Sequence, residues 1–81
     1  MTERFVCFNA EEKGIRVTIE HEKAGWSDTV EGLHQILVRN DIRLDRDRCF
    51  CSSDVDFASE EGFATDDDAH QMINSAFNYY A

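Results

Sequence analysis

Trp26-Ser-Asp-Thr-Val30-Glu-Gly-Leu33-His-Gln-Ile36-Leu37-Val38-Arg39 is the one segment before residue 65 with a sustained helical period. Trp26, Val30, Leu33 and Leu37 recur at i, i+4, i+7 and i+11, with Ile36 beside them, so one apolar stripe runs along the segment. A stripe of this kind has to be covered. Strand-like segments flank it on both sides, and the economical solution is a helix laid across one face of a small sheet. The expected fold class is α+β: a small antiparallel sheet, made of an N-terminal hairpin plus one or two further strands, packed with two amphipathic helices.

Upstream, Arg4-Phe5-Val6-Cys7-Phe8 is aromatic and β-branched, and Ile15, Val17 and Ile19 alternate with Arg16, Thr18 and Glu20. With the polar, Gly-ended loop Asn9–Gly14 between them, residues 4–22 read as a hairpin whose second face, carrying Arg16, Thr18, Glu20 and Glu22, is solvated. Lys23-Ala24-Gly25 should break the strand. Ser27 or Asp28 is the expected helix cap, Asp28 and Glu31 are spaced as a capping box, and the helix should run over 28–39 to a stop at Asn40-Asp41. Gly32 inside that helix points to a close approach to the sheet.

Downstream, Leu44, Cys49, Cys51, Val55 and Phe57 share odd numbering, which suggests a strand at 47–51 and a weaker one at 54–58. Residues 58–62 read as a loop. Thr65-Asp-Asp-Asp68 is a cap followed by first-turn acids, and Ala69, Met72, Ile73, Ala76, Phe77 and Tyr80 give a second helix over 66–79. The expected core is Phe5 or Phe8 with Val17, Ile19, Trp26, Val30, Leu33, Leu37, Met72, Ile73 and Phe77. With 81 residues, no repeat and no Pro, a single domain spanning 1–81 is expected.

Composition narrows the function classes. A hydrophobic content of 42% fits a folded globule. No run approaches a membrane span and no long apolar leader opens the chain, so a soluble, cytoplasmic protein without a membrane partner is expected. The three cysteines, Cys7, Cys49 and Cys51, read as reduced thiols on a strand rather than a disulfide framework. Cys49-Phe-Cys51 is C-x-C, not the C-x₂₋₄-C spacing of structural zinc, so His21 and His34 are not expected to complete a metal site. Asp54-Val-Asp56 with Glu60-Glu61 looks superficially like a calcium loop, but Phe57 and Ser59 fall at its fourth and sixth places. No cofactor is expected. Ser, His and Asp occur without any nucleophile-elbow pattern, and the carboxylates lie in polar runs, so no catalytic residue and no enzymatic activity is expected.

Charge carries the strongest functional signal. Residues 1–51 hold ten acids and all eight Lys and Arg, a local net of −2, whereas 52–81 hold seven acids and no Lys or Arg, a local net of −7. Arg39, Arg43, Arg46 and Arg48 are interleaved with Asp41, Asp45 and Asp47 and are open to local ion pairing. The acidic residues Asp54, Asp56, Glu60, Glu61, Asp66, Asp67 and Asp68 are the candidate partner-binding set. A one-sign acidic field disfavours direct binding of DNA or RNA and suits a basic protein, since a fixed carboxylate array can imitate phosphate spacing.

The whole-chain plan, with Phe5-Val-Cys-Phe8 and Ile15-Arg-Val-Thr-Ile19 as a hairpin and Trp26-Ser-Asp-Thr-Val-Glu-Gly-Leu33 opening a helix, resembles small acidic phage-encoded accessory proteins of the anti-CRISPR and DNA-mimic inhibitor type. The resemblance implies a stoichiometric inhibitor that occupies a basic nucleic-acid-binding surface of a host defence protein, such as a CRISPR effector, in a bacterial cytoplasm. The alternative is an interaction or adaptor module that binds a protein through an apolar or aromatic surface, for which exposed Phe8, Phe57, Phe63, Tyr79 or Tyr80 would be the signature.

Overall fold

The computed structural model describes residues 4–51 and 66–79. Phe5–Glu11 (β1), Gly14–Ile19 (β2), Glu22–Ser27 (β3) and Arg48–Cys51 (β4) form one sheet in the order β3-β2-β1-β4; helices Val30–Arg39 (α1) and Asp66–Phe77 (α2) complete the fold. The α+β class therefore stands, with one difference in the sheet. β1, β2 and β3 pair antiparallel, but β4 runs parallel to β1, with Val6 opposite Cys49 and Cys7 opposite Phe50. The helical connection between β3 and β4 makes this possible, because it carries the chain from one sheet edge to the other before β4 begins.

The N-terminal hairpin is tighter than its loop-like composition suggests. β1 continues to Glu11, and Glu12-Lys13 alone makes the turn, with φ of 52° and 65°. Glu20-His21 does the same between β2 and β3, with φ of 50° and 68°. Both are two-residue connections of positive φ, the geometry that matches the twist of paired strands, yet neither contains the Gly or Asn that usually announces it.

Three expectations around Trp26 are corrected together. Lys23-Ala24-Gly25 does not break the strand; it lies within β3, where the register shifts beside Val17/Thr18 and Ala24 is the extra residue. Trp26 belongs to β3, opposite Arg16, rather than to the helical stripe, and its indole Nε1 donates to the Glu11 carbonyl at 2.6 Å. The helix cap is Thr29 instead of Ser27 or Asp28: its Oγ1 accepts from Gly32 N at 3.0 Å, while Ser27 Oγ accepts from Thr29 N at 3.1 Å. The close approach expected at Gly32 is present, since a Cβ there would stand 2.9 Å from Thr29 Oγ1 and closer still to Ser27 Oγ.

Val6, Phe8, Ile15, Val17, Leu33, Ile36, Leu37, Ile42, Ala69, Ile73 and Ala76 form the buried core, with Ile19, Val30, Met72 and Phe77 partly buried against it. Phe8 meets Phe77 edge-to-face at 5.9 Å. Phe8 is therefore a core residue and not an interface aromatic, and Leu44, 59% exposed, is not part of a buried strand face. Gly25 lets α1 settle on the sheet, because a Cβ would stand 2.9 Å from Ile36 Cδ1. The strand expected at 54–58, the loop at 58–62 and the Thr65 cap lie outside the described residues.

Candidate functional site

The end of α1 is built as a Schellman motif. Asn40 is the C-cap, Asp41 takes φ 51°, Asp41 N donates to Val38 O, and Ile42 N donates to Leu37 O at 2.9 Å. The left-handed residue is thus Asp41 rather than Asn40. The reversal folds Ile42 back beside Leu37 and leaves a cavity of about 230 Å³ between α1, the following turn and α2. α1 supplies His34, Leu37 and Val38 to its lining, the turn supplies Asp41, Ile42 and Arg43, and α2 supplies Phe77. His34 Nδ1 donates to the Ala76 carbonyl at 2.8 Å, meeting one of the last-turn carbonyls of α2 and locking the two helices together. The Tyr79 ring stacks on His34 with centroids 5.2 Å apart. Val38, in the lining, is 57% exposed, and Tyr79, stacked on the lining residue His34, is 42% exposed; Asp41 and Arg43 give the lining a polar side as well.

A network of charges holds the turn. Arg4 donates to both carboxylate oxygens of Asp47, at 2.8 and 3.3 Å, to Asn40 O at 2.6 Å, and to Asp41 O. Asp47 also accepts from Arg43 N at 3.0 Å. Its side chain is 1% exposed, and the Arg4 guanidinium holds its carboxyl below the ordinary carboxylate range against the opposing effect of burial. Arg46 pairs with Asp41 at 2.8 Å, Arg43 with Asp45 at 3.8 Å, and Arg16 with Glu11 at 3.2 Å. The same contacts lower the Asp41 carboxyl through Arg46 and the Glu11 carboxyl through Arg16. The expected local pairing of the arginine run is seen at Arg43 and Arg46, while Asp47 turns instead to an arginine 43 residues away in sequence.

Of the seven candidate acids, Asp66, Asp67 and Asp68 form the first turn of α2, where negative charge complements the helix dipole, and Asp68 is exposed. Asp54, Asp56, Glu60 and Glu61 lie outside the described residues. Three of the seven are thus consecutive residues at the start of α2, and the other four lie outside the described residues.

The sheet face away from the helices carries the expected Arg16 and Thr18, both half-buried, and beside them an aromatic cluster. Phe5 stacks on Phe50 at 4.8 Å and on His21 at 5.4 Å, with Phe50 48% exposed. Parallel pairing causes this, since it sets Phe50 opposite Cys7, one step from Phe5. Cys7 and Cys49 are both half-buried; Cys49 packs against the core beside Val6, and Cys7 sits on the opposite face. Among the described residues no group of three or more His, Cys, Asp or Glu is arranged to hold a metal ion, and no helix is long and apolar enough to cross a membrane.

Sequence reasoning named Tyr79 as a contact candidate but missed Val38. Its signal was available, because Val38 is an apolar residue off the buried stripe of α1. No family model, curated protein or solved structure matches the chain.

Proposed function

We propose that this protein is a non-enzymatic, acidic protein-binding inhibitor, phage-encoded, that occupies a basic nucleic-acid-binding surface of a host defence protein such as a CRISPR effector, in the bacterial cytoplasm. The observation that carries the reading is how the charges are distributed. Arg4, Arg16, Arg43 and Arg46 are each committed to a carboxylate within residues 4–51. The net charge of −9 therefore rests chiefly on residues 52–81, which contain no Lys or Arg. A basic groove built for phosphate accepts such a field through charge-assisted contacts, and long-range attraction speeds its association.

The test is capture from bacterial lysate at two ionic strengths, followed by binding measurements on the captured protein with charge reversals to Lys at Asp66/Asp67/Asp68, Asp54/Asp56 and Glu60/Glu61. Slower association, weaker affinity and a shallower salt dependence for each folded variant support the reading. A partner whose affinity is indifferent to all three sets overturns it.

A second reading is an adaptor that binds through an apolar surface. It is favoured by one observation, the exposed apolar Val38 in the cavity lining and the exposed Tyr79 stacked on His34 beside it. Salt-resistant capture distinguishes it from the first.

A further inference from the structure

We draw no further inference here: the strongest candidate, the aromatic patch of Phe5, Phe50 and His21 on the sheet face away from the helices, carries nothing because nothing in the structure shows what covers it.

Discussion

Arg4 and Asp47 form a two-pronged ion pair, at 2.8 and 3.3 Å, that joins the residue just before β1 to the turn leading into β4 across 43 residues of sequence. The pair is asymmetric, because the Asp47 side chain is 1% exposed and that of Arg4 29%. Removing the arginine strands a buried carboxylate, whereas removing the carboxylate leaves a guanidinium that still reaches water and two carbonyls. Arg4→Met is therefore expected to cost about 3–5 kcal/mol and Asp47→Asn less, about 1–3 kcal/mol. Urea unfolding of the two variants checks the order; equal or reversed costs would contradict the asymmetry.

The same pair sets a pH dependence. The Asp47 carboxyl is lowered by its hydrogen bond from Arg4, and those of Asp41 and Glu11 by Arg46 and Arg16. Groups lowered in the folded state stabilise it fully above their unfolded value, about 4, and lose that contribution as the pH falls through the folded value. Stability should therefore fall as acid is added below about pH 4. The difference between the native protein and Asp47→Asn should shrink over that interval. Denaturant midpoints taken from pH 7 to pH 2.5 give the comparison, and a gap that widens toward low pH would refute the assignment.

Leu33 is fully buried at the centre of the α1 stripe. Leu33→Ala is expected to cost about 2–5 kcal/mol, as large-to-small core changes do. A cost under about 1 kcal/mol in thermal or urea unfolding would mean that the helix does not pack as described.

Gly32 offers a test in which helix propensity and packing disagree. Propensity alone gives Gly32→Ala a gain of about 1 kcal/mol. A Cβ would, however, press on Ser27 Oγ and Thr29 Oγ1, the two hydroxyls that organise the cap. Net destabilisation of about 1–3 kcal/mol is expected, partly relieved by adding Ser27→Gly. Stabilisation by the single change would show that the cap has room to spare.

Glu12-Lys13 adopts positive φ at both positions without the residues suited to it. Replacing the pair with Asn-Gly should raise stability by about 1 kcal/mol through relief of left-handed strain, measured as a higher urea midpoint at unchanged slope. No gain would mean that the turn carries little strain.

Much of this architecture follows from local pattern. The 3.6-residue period of Val30, Leu33, Ile36 and Leu37 defines α1, that of Ala69, Met72, Ile73 and Ala76 defines α2, and the alternation of Ile15, Val17 and Ile19 defines β2. Period is a property of neighbouring residues, so the sequence determined these elements, and the charge asymmetry with them. β3 escaped the same reading because Lys23-Ala24-Gly25 carries no β-branched side chain and Glu20-His21 carries no turn signature; pairing with β2 and packing under Ile36 make the strand. Trp26 satisfies the helical spacing by coincidence, and its bond to Glu11 O, 15 residues away, draws it into the sheet. The parallel pairing of β4, the aromatic face it creates, the Arg4–Asp47 pair and the cleft at Val38 all join residues distant in sequence. No local period encodes such contacts, because they depend on how the sheet and helices close on one another, and that was decided by the tertiary structure alone.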